Sequence, residues 1–497
     1  MAVAAFRVDA SAASGAGHWT RCLALGGALA DIGVDVNFVT AATDAPDEAA
    51  LAANGVRWLR LGKEATSDEV ADAMSTQTAL GVAPDWLVLD HYRLGNTWEA
   101  AARVDGTRLL AFEDQPNRRH TCDALLDPNL SGDGGAEPDP YAGLVPPSCR
   151  RLYGPRYALL RPQFARRRRT IRRTSGAVRR VLVFFGSADS QGWSLLGAQA
   201  ARRAFPQAQV DVVVGGSSPH RAKLSEAFGQ DAAIHLHVQT PCMEELMASA
   251  DLALGAAGSA TWERCCLGLP AVLVVVQENQ RGVASTVSRR GAASVVDGSA
   301  QSVEEALRAL GGDEQARIQM SERGMRLVDG AGIRRVRDLL FPLTVRPASG
   351  TDMDLLWTWA NDPEVRRNAI QQRPIPLEDH ERWFHARLQD PGCRIYVGEV
   401  AGKSIGQVRF ERDGDAVVID ISLSAPFRGM GLGTAMLKAA IAAHAERRRP
   451  LSLRAYVKPD NAASREMFLA CGFQAAGPDS RGLHQFSLSY ANAHADG

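Results

Sequence analysis

Leu252-Ala253-Leu254-Gly255-Ala256-Ala257-Gly258-Ser259-Ala260-Thr261-Trp262-Glu263-Arg264 is the stretch on which the fold turns. A short apolar run gives way to a loop of small residues, and a helix opens from that loop. Gly268-Leu269-Pro270 stops the helix, and a second apolar run, Ala271–Val276, follows. That order reads as strand, glycine turn, helix, strand. Glycines let a ligand come close to the backbone, and a helix start directs N–H groups at an anion. Gly258, Ser259 and Thr261 would therefore suit a pyrophosphate, and Glu263, one turn in, could accept hydrogen bonds from ribose hydroxyls. An ordinary crossover with glycine chosen for packing is the bland alternative for this segment alone.

Outward from it, the same alternation fills residues 1 to about 340. Strand-like runs fall at 34–39, 86–89, 109–112, 181–185 and 210–214, and helical spacing shows at Cys22, Leu25, Leu29 and Ile32. Buried strands alternating with helices predict parallel sheets covered on both faces. The series breaks at 161–180, where Arg166 to Arg169, Arg172, Arg173, Arg179 and Arg180 crowd a polar stretch. We read a solvated connector between two lobes, 1–165 and 175–340. No aromatic residues interleave with these arginines, which disfavours nucleic acid. After Phe341-Pro342 the pattern changes to helices, a hairpin turned at Asp413-Gly414-Asp415, and further helices and strands, a separate mixed domain over 343–497.

Bulk properties fit several domains. The chain has 497 residues, 45% of them hydrophobic, too many for one ordinary core. Basic and acidic residues balance at 56 each, so no bulk field favours nucleic acid or anionic lipid. None of the eight cysteines forms a C-x-x-C pair, which points to a reducing, cytoplasmic setting rather than a zinc or disulfide framework. No apolar run reaches a membrane span, and no secretory signal is expected from the first residues.

A second glycine loop, Ser11 to Gly17, follows the first strand and precedes His18 and a helix carrying Arg21 and Cys22. It lies at the carboxyl end of a strand, where open α/β sheets bind ligands. The helix start would keep the His18 imidazole neutral and fit to act as a general base. A capping or core histidine is the competing reading of this loop by itself.

Taken together, the loops resemble a specific family. The stretches are Arg7-Val8-Asp9-Ala10-Ser11, Gly15-Ala16-Gly17-His18 with Arg21-Cys22-Leu23, Leu89-Asp90-His91-Tyr92, Cys122-Asp123, Asp127-Pro128-Asn129, Tyr153-Gly154-Pro155-Arg156-Tyr157, Val183-Phe184-Phe185-Gly186, Ser259 to Cys265, and Glu278-Asn279-Gln280. Residues 1–340 resemble the two-lobed GT-B enzymes of nucleotide sugars, and among them the UDP-2,4-diacetamido-2,4,6-trideoxy-β-L-altropyranose hydrolases of pseudaminic acid synthesis. The resemblance implies hydrolysis at the anomeric C–O bond to UDP and free sugar. His18 would activate the water. Gly17, Arg21, Tyr92, Gly186, Asn279 and Gln280 would line the substrate, Glu263 would hold the ribose, and no metal is implied. Ser187 departs from the family, which more often has glycine there.

In the last third, Arg428-Gly429-Met430-Gly431-Leu432-Gly433-Thr434 follows a strand and opens a helix, a good pyrophosphate cradle. Downstream, Asn461-Ala462-Ala463-Ser464 starts a helix ending at Cys471-Gly472-Phe473. The pair resembles the GNAT acyltransferases. The resemblance implies acetyl-CoA as cosubstrate, with Ile421-Ser422-Leu423 beside the pantetheine arm and Asn461 and Phe468 also on the cofactor. Phe468 stands where many members have the tyrosine that protonates the thiolate, so that acid is absent; Tyr456 or solvent could serve. Trp359 to Arg366, His380-Glu381-Arg382-Trp383-Phe384, Gly406 to Phe410 and Ala455 to Asn461 resemble the acetyltransferase of the same pathway. It acetylates the 4-amino group of a UDP-4-amino-4,6-dideoxy-N-acetyl-altrosamine. His380 and Glu381 could border that amino sugar or lie on a helix surface.

The expected fold class is α/β: two GT-B-like doubly wound parallel sheets, then a mixed α/β GNAT domain. The expected partners are a UDP-amino-sugar and acetyl-CoA, with no nucleic acid or membrane, and with room for association with other enzymes of the pathway. A GT-B glycosyltransferase fused to an acetyltransferase, and a non-catalytic nucleotide-binding scaffold, are the alternatives.

Overall fold

A computed structural model describes residues 1–9, 16–41, 48–62, 68–129, 139–171, 176–216, 218–446 and 451–490. Of the loops singled out above, Ala10 to Gly15 lies outside the described residues, as do Arg172 and Arg173. The chain divides into two compact units, one made of Val3–Ala30 and Asp35–Arg337, the other chiefly of Asp338 onward.

The first unit holds two parallel sheets. One has the order β3(Val56–Arg60)-β2(Asp35–Thr40)-β1(Val3–Val8)-β4(Trp86–Asp90)-β5(Arg108–Phe112)-β6(Ala124–Asp127)-β7(Arg150–Tyr153). The other runs β10(Ile234–Val238)-β9(Gln209–Val214)-β8(Arg180–Phe184)-β11(Leu252–Ala256)-β12(Ala271–Val274)-β13(Ser294–Val296). In both, strand order reverses beside the first strand in sequence, between β1 and β4 and between β8 and β11. Those reversals open the crevices where doubly wound sheets bind ligands.

Period-two alternation explains why the sheets are covered on both faces. In the second sheet, Leu182, Ala253 and Leu273 face one cluster with Phe164, Trp262 and Cys265. Val181, Val183, Leu252, Leu254 and Val272 face the other, with Ala198 and Leu307. Gly255 is required on β11, because a Cβ there would lie 2.0 Å from the Phe184 carbonyl oxygen.

The connector differs from its sequence reading. Ala158, Leu160, Phe164 and Ile171 are buried in the core of the second sheet. A fully buried phenylalanine contributes roughly 2–3 kcal/mol, so the expected boundary at 165 falls inside a segment anchored to the second lobe. Three of its described arginines are spent on structure. Arg168 donates to the carbonyls of Cys266 and Met325, and Arg167 and Arg180 pair with Glu245 and Asp211.

The second unit contains one mixed sheet, β14(Thr344–Pro347)-β15(Cys393–Val400)-β16(Lys403–Asp413)-β17(Ala416–Leu423)-β18(Leu451–Val457)-β20(His484–Tyr490)-β19(Gln474–Pro478). All neighbours are antiparallel except β17 and β18. That parallel pair has only two registered positions, Val417 with Leu453 and Val418 with Arg454. Beyond them the strands part, and no strand of the described residues covers that side of Ile419–Leu423. Among the described residues no helix is long and apolar enough to cross a membrane.

Candidate active sites

The helix Ala16–Asp31 begins after β1, and β4 lies beside β1, so the start of the helix faces the carboxyl end of β4. His18 and Asp90 meet there, with His18 Nδ1 2.5 Å from Asp90 Oδ1. Arg21 grips the same carboxylate twice, Nε to Oδ2 and Nη2 to Oδ1, each at 2.6 Å, and the Cys22 thiol donates to Oδ2 at 3.3 Å. Burial alone would raise the Asp90 carboxyl, but the Arg21 charge, then His18, hold it far below the usual carboxylate range. An ionised Asp90 fixes the tautomer with the proton on Nδ1. Nε2 is left as the nitrogen able to take a proton from a bound water. The expectation that a helix end tunes this imidazole is therefore amended: a carboxylate and a guanidinium surround it. His18 is 9% exposed.

The Tyr92 ring stands edge-on to His18, centroids 4.6 Å apart. Its hydroxyl donates to Asp114 Oδ2 at 3.0 Å and accepts from Asn279 Nδ2, of the second lobe, at 3.1 Å. Trp262 Nε1 donates to Asn129 Oδ1 at 3.2 Å, and the Thr286 hydroxyl to the Asn129 carbonyl at 2.8 Å. A Cβ on Gly17 would lie 3.3 Å from Ser259 Oγ. Within this unit the two glycine loops thus converge, and the His18 side is the lip of the crevice between the lobes.

On the second lobe, Gly186 lies just past β8 with φ +101°, and a Cβ there would meet nothing within 4 Å. Its conformation, not crowding, calls for glycine. A Cβ on Gly258 would meet only the Gln280 amide nitrogen, at 3.7 Å, while Gln280 Oε1 accepts from Val276 N. Glu263 is half-buried; desolvation pushes its carboxyl up to about 7, opposed by the charges of Arg161 and Arg264. Such a group gains from hydroxyl donors. Thr261 departs from its expected role, since its N–H returns to the Gly258 carbonyl and its hydroxyl is buried without a partner.

In the second unit, Ile421, Ser422 and Leu423 form the end of β17 where β18 has parted. Gly429 and Gly431 both have φ +78°, and Gly431 caps the helix Leu432–Ala445. A Cβ on Gly429 would meet nothing within 4 Å, so the loop is an open cradle. Gly433 serves packing, with Leu423 and Met467 at 3.1 and 3.2 Å from a Cβ. Leu432 is buried, and the Thr434 carbonyl accepts from the Cys471 thiol.

Three assignments in this unit change. Arg428 does not reach toward a phosphate; its guanidinium donates to the Leu423 carbonyl, Asp362 and Glu364. It pins the end of β17 instead. Phe468 is buried, packed against Phe473 and Phe486 at 5.1 and 5.8 Å, and so belongs to the core. The Asn461 side-chain oxygen caps its own helix by accepting from Ser464 N at 3.1 Å, leaving only its amide nitrogen for a ligand. His380 is buried against Phe384 rather than on a surface, while Glu381 is exposed.

Comparison with known proteins now adds to this geometry. Residues 342–474 match the acetyltransferase (GNAT) domain, and residues 180–331 match the glycosyltransferase family 28 C-terminal domain. The chain joins a GT-B-like body to a GNAT domain. The spore coat polysaccharide biosynthesis protein SpsG of Bacillus subtilis (strain 168) is 29% identical over 199 residues, 38% of this chain and 58% of that protein. The chain thus spans little more than half of that relative. The UDP-2,4-diacetamido-2,4,6-trideoxy-beta-L-altropyranose hydrolase of Campylobacter jejuni is 25% identical over 206 residues, 41% of this chain and 71% of that enzyme. The crystal structure of Acinetobacter baumannii MurG aligns with 68% of this chain and 99% of its own at 14% identity, with a TM-score of 0.48.

In the GT-B-like body, reading residue types missed Asp90, Asp114 and Asn129 as members of the site. Asp90 had one local signal, a carboxylate closing the apolar run Trp86–Leu89. In the GNAT domain the missed pair is Asp362 and Glu364, which hold Arg428. Among the described residues no cluster of potential metal ligands occurs.

Proposed function

We propose that the chain carries out two consecutive steps on a UDP-linked amino sugar. The GNAT domain acetylates the 4-amino group of a UDP-4-amino-4,6-dideoxy-N-acetyl-β-L-altrosamine, and the GT-B-like body hydrolyses the resulting UDP-2,4-diacetamido-2,4,6-trideoxy-β-L-altropyranose. The observation that carries the hydrolytic half is the Asp90–His18 pair at the lip of the crevice, 2.5 Å apart. His18 Nε2 takes a proton from water as the water oxygen bonds to the anomeric carbon. The anomeric C–O bond breaks, and its electrons leave with UDP. UDP is already a good leaving group, so placing the water is the main task. Glu263 accepts from the ribose, and the Gly258–Ser259 turn receives phosphate.

Acetyl-CoA supplies the acetyl group for the first step. The open cradle at Gly429 to Gly431 and the uncovered end of β17 suit its pyrophosphate and its amide-bearing arm. Asn461 contributes its amide nitrogen.

Glycosyl transfer is the second reading, favoured by the family 28 match. Mass spectrometry of the full chain with acetyl-CoA and the UDP-4-amino sugar separates them. We expect a 4-acetamido sugar nucleotide first, then free sugar and UDP without any acceptor. His18→Ala should block only the second step, and Gly431→Trp only the first, with hydrolysis restored when the diacetamido sugar nucleotide is supplied directly. UDP release that requires an added sugar acceptor would replace hydrolysis by transfer.

A further inference from the structure

Tyr92 is the centre of a three-residue relay with two unfilled ends. Its hydroxyl has one proton, given to Asp114 Oδ2, and it accepts from Asn279 Nδ2. That leaves the second carboxylate oxygen of Asp114 and the single side-chain oxygen of Asn279 unengaged by Tyr92. Asp114 Oδ1 and Asn279 Oδ1 are both buried, and neither has a hydrogen-bond partner. A buried acceptor left unpaired costs about 1–3 kcal/mol, and here both belong to residues that share the Tyr92 hydroxyl.

We propose that Asp114 Oδ1 and Asn279 Oδ1 are an acceptor pair that reads the N–H or O–H donors of the sugar, making Asp114 a specificity-determining residue of the UDP-sugar site. The inference rests on the UDP-sugar reading given above. Both atoms only accept, so their complement is a donor. A diphosphate has no donors and carries the same charge as Asp114, so it does not belong there. An acetamido N–H or a ring hydroxyl does. The placement agrees: Asp114 lies within electrostatic range of Arg21 and His18, and the His18 ring abuts Tyr92. Desolvation holds the Asp114 carboxyl above its ordinary range despite the Arg21 charge, as expected of a carboxylate with one oxygen lacking a donor.

The test is calorimetric binding to full-length chain carrying His18→Ala, which prevents turnover. UDP and UDP-2,4-diacetamido-2,4,6-trideoxy-β-L-altropyranose are titrated separately. Asp114→Asn should leave UDP affinity within about twofold, which also shows that the variant folds, and weaken the sugar nucleotide by roughly tenfold or more. The same loss should recur in a Tyr92→Phe background if the contact is direct. The proposal is overturned if UDP weakens equally, if the sugar nucleotide is unaffected, or if the loss disappears once Tyr92 lacks its hydroxyl. A His18→Ala chain with native Asp114 that binds neither ligand would instead sink the UDP-sugar reading, and this proposal with it.

Discussion

Asp90 serves His18, Arg21 and Cys22 with two oxygens, so the change of one atom in it tests the dyad. Asp90→Asn keeps the shape but removes the charge that fixes the His18 tautomer. We expect UDP release to fall on the order of a hundredfold or more in kcat with little change in KM. Steady-state kinetics on the UDP-sugar checks it; an unchanged kcat would remove Asp90 from the mechanism. This partnership was illegible in the sequence because 72 positions separate the pair, and only the parallel register of β1 and β4 joins them. Arg428 was misread for the same reason, since its carboxylates lie 64 and 66 positions earlier. A second residue bears on stability. His120 is buried between Glu99 and Glu113, at 2.6 and 3.1 Å. Burial opposes its charge, but the two carboxylates win and raise it from 6.5 to about 9. Its contribution is whole below about pH 6.5 and fades as pH climbs through 9, a difference of roughly 3 kcal/mol at most. Urea midpoints of the GT-B-like body should fall between pH 7 and 9, and His120→Asn should start lower and vary less.

At the scale of elements, the glycine turns were readable because their signal is local. Runs at 86–89, 109–112, 181–185, 210–214 and 252–254 all became strands, with ends shifted by a residue or two. The strands that escaped notice include β3, β7 and β10, whose sequences VRWLR, RRLY and IHLHV carry charged or polar residues. Each lies at a sheet edge, where one flank needs no apolar cover, so the hydrophobic pattern weakens. Two glycines should respond differently to substitution. Gly255→Ala forces a Cβ to 2.0 Å from backbone, and we expect a loss of roughly 1–3 kcal/mol in urea unfolding. Gly431→Val meets a φ of +78°, costly for a branched side chain by about 1–2 kcal/mol locally. It should raise the KM for acetyl-CoA while leaving UDP release from the diacetamido sugar nucleotide intact.

The whole molecule consists of two units with separate cores, and each proposed ligand belongs to one of them. Calorimetric scans should therefore resolve ligand effects: UDP stabilises the GT-B-like body and acetyl-CoA the GNAT domain, each by about 2.7 kcal/mol at a hundredfold excess over its Kd. Both ligands lifting one common transition would contradict this. The parting of β17 from β18 has a further bearing on the chain's fate in solution. A naked strand border invites strangers, because any extended peptide can dock its main chain there as well as a cosubstrate can. We expect the unliganded chain to clump at that border on warming, and saturating acetyl-CoA to delay the turbidity. The acetyl donor would then be a chaperone of its own enzyme.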